Sequence, residues 1–128
     1  MRIPRSLSVL FLSATLAACA GMGGTASAPA QVADGVLTGT NGMTLYTFDK
    51  DVVGSGKSVC NGQCAVNWPP LAAMGGESAS GDYSVITRDD GKKQWSYKGK
   101  PLYFWIKDQK PGDKTGEGVN NVWRTAKP

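Results

Sequence analysis

Histidine is absent from all 128 residues. Its absence excludes Ser-His-Asp and Cys-His catalytic units, the common catalytic zinc sites and two-histidine iron or copper sites. Haem attachment through Cys-x-x-Cys-His is excluded as well. Long apolar runs are also missing. The stretch from Leu7 to Ala18 has twelve residues, whereas a membrane-spanning helix needs about 20. Cysteine is scarce, with three in the chain, and no sign of charge dominates: 14 basic residues face 10 acidic ones. These absences lower the expectation of an enzyme and imply no cofactor.

What is present first is an address. Arg2 and Arg5 precede the short apolar run, which ends in Leu16-Ala17-Ala18-Cys19. Basic residues, an apolar segment and small residues at a cut site make an export signal. The small residues ending in cysteine resemble the lipobox of bacterial lipoproteins, in which cleavage leaves the cysteine as the lipid-bearing first residue. Residues 1–18 are therefore expected to be a signal peptide and Cys19 the lipidation site. Two of the basic residues leave with the leader, which takes the balance from +4 to +2. Such a small charge, with both signs interspersed, does not argue for nucleic acid. Residues 19–34 are small and glycine-rich and read as a lipidated tether. Ala20 stands where an inner-membrane retention signal often carries Asp, which favours the outer membrane over the inner.

The remainder, 35–128, is one domain's worth of chain, and it is duplicated. Gly42, Leu45, Tyr46, Phe48 and Asp51 recur as Gly99, Leu102, Tyr103, Trp105 and Asp108, all 57 positions later. Each copy runs on into a glycine-rich polar loop and then a tryptophan, Trp68 or Trp123. The repeats lie at about 35–80 and 81–128. Asn41-Gly42 predicts a tight hairpin between Val36–Thr40 and Met43–Phe48. Asp90-Gly91 predicts another between Tyr83–Arg88 and Lys92–Tyr97, and Lys98-Gly99 turns the chain into Leu102–Lys107. Val122–Thr125 reads as a terminal strand. Helix is confined to one turn near Cys64–Trp68, stopped by Pro69-Pro70. The expected architecture is mostly β: a small sandwich or curved antiparallel sheet built from two pseudo-symmetric repeats.

The Tyr-x-aromatic-x-x-Asp pattern at Tyr46, Phe48, Asp51 and at Tyr103, Trp105, Asp108 resembles the bacterial secreted-repeat lipoproteins. So do Cys60-Asn-Gly-Gln-Cys64-Ala-Val-Asn-Trp68-Pro69 and Gln94-Trp95-Ser-Tyr97-Lys-Gly99-Lys-Pro101-Leu102-Tyr103. The resemblance implies location and architecture, with no established activity.

The motif has two physical readings. On a strand, residues i and i+2 share a face, so Tyr46 and Phe48 point together, as do Tyr103 and Trp105. They either form the core between the repeats, with each aspartate capping the turn that follows, or stand exposed as stacking platforms for a glycan or other flat ligand. Asp49-Lys-Asp51-Val-Val-Gly54 resembles the start of a calcium loop, but Val53 and Cys60 fall where ligands are needed, and no metal site is assigned. Cys60 and Cys64, an even pair in an exported chain, read as a disulfide whose small loop limits its stabilisation to about 2 kcal/mol. A redox-active pair is the rival reading, with two-thiolate metal binding behind it. Lys92, Lys93, Lys98 and Lys100 cluster at two turns, either as solvated hairpin ends or as a contact for an envelope polyanion.

Together these features describe a non-enzymatic cell-envelope lipoprotein. It faces the periplasm, is attached to the membrane through lipid on Cys19, and presents a rigid β module to an envelope protein or glycan. The alternative is a periplasmic redox or electron-transfer accessory using Cys60/Cys64.

Overall fold

Two dipeptides start the two halves. Asp34-Gly35, with φ of 51° and 77°, makes a type I′ turn that twists with the strands it joins. It links β1 (Ala30–Ala33) to β2 (Val36–Gly39). Asp90-Gly91 lies in the longer turn between β4 (Tyr83–Thr87) and β5 (Lys93–Tyr97). The computed structural model describes residues 28–74 and 79–128. The expected signal peptide, Cys19 and most of the expected tether lie outside the described residues. The last part of that tether is not one: Ala30–Ala33 pairs with β2, and Ala30 is buried.

From each hairpin the chain turns again and enters the motif. Beyond β3 (Tyr46–Phe48) come the first polar loop and a single-turn helix α1 (Gln63–Asn67). Beyond β6 (Lys100–Pro101) come the second loop, a 3-10 turn at Val119–Asn121 and β7 (Trp123–Thr125). The strands form three small antiparallel sheets, β1-β2, β3-β7 and β4-β5-β6. The architecture is mostly β and built from two repeats, as expected.

The halves do not stand side by side; each lends a segment to the other. The N–H of Leu37 donates to Ala126, that of Ala126 to Leu45, and that of Leu45 to Leu37, at 2.8–2.9 Å. The second half repeats this triangle with Trp95, Leu71 and Leu102, at 2.9–3.0 Å. Ala126 thus closes the first half and Leu71 the second. The stretch after each tryptophan has crossed over. Leu45 and Leu102 are wholly buried in one apolar cluster with Ala30, Leu37 and Ala126.

Two expected strands are shorter than the pattern suggests. The Asn41-Gly42 turn forms, and pairing runs through Thr38 and Thr44. Then Tyr46–Phe48 leaves β2 and pairs with Trp123–Thr125 instead. The expected strand Leu102–Lys107 does not form beyond Pro101: Tyr103 carries isolated bridges only, and Ile106–Lys107 already turn, closed by the N–H of Asp108 on the carbonyl of Trp105. The cause is its partner. Pro69 sits where β7 has Arg124, and proline offers no N–H to a ladder; Pro70 sits where β7 has Thr125, whose N–H bonds to Glu117 and not to β3. Pairing is reduced to a Pro70–Tyr103 bridge and bonds from the N–H of Leu71 to the carbonyl of Leu102 and from the N–H of Phe104 and Ile106 to the carbonyls of Pro69 and Asn67.

Because each half is closed by the other's crossed segment, neither half should fold alone. Fragments 1–78 and 79–128 are expected to be unstructured separately by circular dichroism and to regain the native spectrum when mixed. A cooperatively melting isolated half would contradict the exchange.

Candidate functional site

Tyr46 and Tyr103 meet at the pseudo-twofold axis. The N–H of Tyr46 donates to the carbonyl of Tyr103 at 2.8 Å, and the N–H of Tyr103 returns to Tyr46 at 2.9 Å. Both side chains are wholly buried. Their hydroxyls then cross. Tyr46 donates to Asp108 at 2.6 Å and Tyr103 to Asp51 at 2.5 Å, so each tyrosine of one copy serves the aspartate of the other.

The aspartates hold the polar loops. Asp51 Oδ1 accepts the N–H of Val59 at 2.8 Å, eight residues on. Asp108 Oδ1 accepts both the N–H and the hydroxyl of Thr115, at 3.0 and 2.6 Å. Ser58, the counterpart of Thr115 at the same 57-residue offset, contacts the Tyr103 hydroxyl at 2.5 Å instead. Since Tyr103 donates to Asp51, Ser58 donates to Tyr103. Arg88 extends this chain. Its guanidinium is buried and donates to Ser58 at 2.9 Å, to Gln94 at 2.7 Å and to the carbonyl of Cys60. Arg88 has no counterpart in the first half, and no sequence signal marks it. Ser58 and Thr115 were legible as hydroxyl residues at the shared offset.

Burial sets the ionisation of this network. It raises both phenols well above their ordinary value of 10, reinforced by the carboxylate each one meets. Burial also raises the Asp51 carboxyl, against the opposing pull of Tyr103, the Val59 N–H and the Arg88 charge.

Behind the tyrosines the aromatics form one continuous stack: Phe48, Trp123, Trp68, Trp105. Successive ring centroids are 4.2, 3.7 and 3.9 Å apart, and the central pair is tilted by only 5°. Tyr46 meets Trp68 edge-on at 5.4 Å and Tyr103 meets Trp123 at 5.2 Å. Trp68 and Trp123 are buried, while Phe48 and Trp105 are half-buried outer leaves. Gly116 permits the packing, since a Cβ there would lie 2.8 Å from both Trp68 and Tyr46.

Cys60 and Cys64 are joined in a disulfide with Cα atoms 5.2 Å apart. Cys60 is buried in the aromatic cluster. Cys64, partly accessible, lines an open groove of about 400 Å³ with Phe48, Trp68 and Trp123. Among the described residues no group of three or more acidic or sulfur side chains is placed to hold a metal ion. All six motif residues are thus brought into one network. The four lysines of the turns lie outside it.

Two outcomes follow. Removing one hydroxyl, as in Tyr103→Phe, should cost about 1–3 kcal/mol, because a buried carboxylate loses its donor. Combining it with Asp51→Asn should cost less than the two single changes together in denaturant melts, since the two groups act as a pair. The phenols also define a pH window. Their folded-state pKa values lie above the unfolded value, so their stabilisation is complete below about pH 10 and falls as pH rises beyond it. Melts from pH 8 to 12 should decline above pH 10, and Tyr46→Phe/Tyr103→Phe should flatten that decline.

A family model described as a secreted repeat of unknown function matches at residues 29–72 and again at 84–127. Each match contains one hairpin, one Tyr–aromatic pair and the segment that crosses over. No curated protein and no solved structure matches the chain. The chain belongs to this family of secreted repeats of unknown function and carries two copies of the repeat.

Proposed function

We propose that the protein is a non-enzymatic lipoprotein of the bacterial cell envelope. It is held to the membrane, the outer in preference to the inner, through lipid on Cys19. Facing the periplasm, it presents its β surface to an envelope partner or glycan. One observation carries the binding-module reading: the Tyr–aromatic–Asp motif is turned inward and its polar atoms are taken up by internal bonds. A carboxylate that fixes a loop and a phenol that donates to it are architecture. Recognition is then left to the surface around the core. Export rests on the leader of Arg2, Arg5 and the short apolar run, and the secreted nature of the family agrees with it.

A specific observation also keeps the redox reading in view. Cys64 borders an open groove against Trp68, where a thiolate can approach the disulfide. A reduction potential below about −300 mV marks a structural disulfide, whereas one near that of disulfide isomerases, about −180 mV, marks a cycling pair. The first value is expected, because the Cys60 end is buried and its carbonyl is held by Arg88.

Anchoring has a direct test. Cys19→Ser should abolish incorporation of labelled fatty acid and shift the protein out of the membrane fraction, since stable attachment takes more than one acyl chain. Unchanged labelling and fractionation would refute the anchor.

A further inference from the structure

The two halves share one plan but are not lined alike. Phe104 stands 57 positions after Thr47. Its ring packs on the Leu37/Leu45/Leu102 cluster and lies so close to Gly39 that a Cβ there would come within 2.8 Å of it. In the other half the sizes are exchanged. Thr47 takes the place of the phenylalanine, and Tyr97 takes that of Gly39, since each follows the residue of the equivalent bridge, Ser96–Pro101 or Thr38–Thr44. The Tyr97 ring turns towards Tyr83, with centroids 4.9 Å apart. What remains between the β5–β6 turn and β7 is a cleft of about 370 Å³, bordered by Thr47 and Tyr97.

The charges diverge at the same place. Lys98, Lys100, Arg124 and Lys127 line the cleft, together with Asp49 and Glu117. The equivalent positions across the pseudo-twofold hold Asn41, Met43, Pro69 and Ala72. Both acids are already engaged. Asp49 is 3.4 Å from Arg124, and Glu117 accepts the N–H of Thr125 at 2.5 Å. Lys98, Lys100 and Lys127 take part in no ion pair among the described residues. The turn that carries the first two is fixed, since the Gly99 carbonyl accepts the N–H of Gly54 at 2.9 Å and Gly54 leaves no room for a Cβ on Gly99. The shared repeat plan by itself gives no reason for these two positions to differ. One position is instead filled and uncharged, and the other is open and cationic.

We propose that this cleft is a binding site for a small phosphate ester, a phospholipid headgroup or a soluble glycerol or sugar phosphate. The cations exceed the acids by two, enough to neutralise either the single charge of a phosphodiester headgroup or the double charge of a phosphate monoester. Arg124 holds Asp49 through Nε and Asn121 through Nη2, which leaves Nη1 towards a phosphate oxygen, and the lysines act as point charges beside it. The volume lies at the small end of ligand clefts, about 300–1,000 Å³, and suits a headgroup. This inference deepens the binding-module reading, giving its surface a site and a ligand class.

The test uses the full chain, ¹⁵N-labelled, in zwitterionic detergent micelles. Glycerol phosphate is titrated in one arm, and the micelles are doped with phosphatidylglycerol in the other. Saturable amide shifts confined to Thr47, Lys98–Lys100 and Arg124–Lys127 are expected. Their appearance in the first arm identifies a soluble phosphate, and in the second arm alone a lipid headgroup. Thr47→Phe places in the cleft the ring the other half already holds and leaves every charge in place; it should weaken binding at least tenfold. Lys98→Gln/Lys127→Gln should do the same, whereas Lys92→Gln/Lys93→Gln, which removes equal charge at another turn, should not. No shift in either arm overturns the proposal. So does unaltered binding in a folded Thr47→Phe protein, or equal weakening by the two lysine pairs. If Thr47→Phe does not fold, the comparison of lysine pairs decides alone. Fatty-acid labelling of Cys19 is read separately, so failure here leaves the anchoring result standing.

Discussion

The exchange at the centre of the molecule, two tyrosines bonded to each other's backbone and to each other's aspartate, is the constraint on which the rest depends. A buried carboxylate without its donor costs about 1–3 kcal/mol, a large share of the 5–15 kcal/mol that holds a domain of this size. Asp51 and Asp108 therefore need the opposite tyrosine. With the tyrosines in place, each aspartate can hold its loop at Val59 or Thr115. The loops in turn deliver Trp68 and Trp123 to the axis, where they stack on each other.

Glycine content explains why the core takes this aromatic form. The chain has 17 glycines, which bury almost nothing and lose much freedom on folding. Few large aliphatic groups remain, and aromatic contacts add about 0.5–1.5 kcal/mol each beyond their buried area. Four stacked rings with two tyrosines edge-on concentrate that gain at the junction of the halves. The outer leaves, Phe48 and Trp105, are only half-covered, so core and platform are graded positions along one stack.

The halves differ where the repeat spacing changes. The tyrosines recur after 57 residues but the tryptophans after 55, so the first loop is two residues longer. That loop contains α1 and the Cys60–Cys64 disulfide, and it is braced by Arg88 through Ser58 and the Cys60 carbonyl. The shorter second loop relies on Thr115 and the N–H of Gly116, which donates to the Tyr46 hydroxyl at 3.2 Å. A buried, unduplicated arginine thus accompanies the longer loop.

Much was legible from the residues alone, because it depends on local pattern. The duplication, the turns at Asn41-Gly42, Asp90-Gly91 and Lys98-Gly99, the single helical turn before Pro69-Pro70 and the shared face of each Tyr–aromatic pair all follow from spacing and backbone preference over a few positions. β1 and the start of the Asp34-Gly35 turn after it read as tether, because Ala30–Ala33 acquires its strand only by pairing with β2. Strand exchange was hidden for a related reason: periodicity says which face a residue presents and nothing about which half will meet it. Arg88 gave no signal, since its burial depends on Ser58, Gln94 and Cys60 arriving from distant parts of the chain. The sequence by itself determined a repeated, β-rich, histidine-free chain with a Tyr–aromatic–Asp motif turned to one face. Only the tertiary structure decided that the motif crosses between halves and that one of two equivalent clefts is filled while the other is charged. Both outcomes are set by contacts between segments about 50 or more residues apart, where the bonding of buried polar groups, and not local preference, selects the partner.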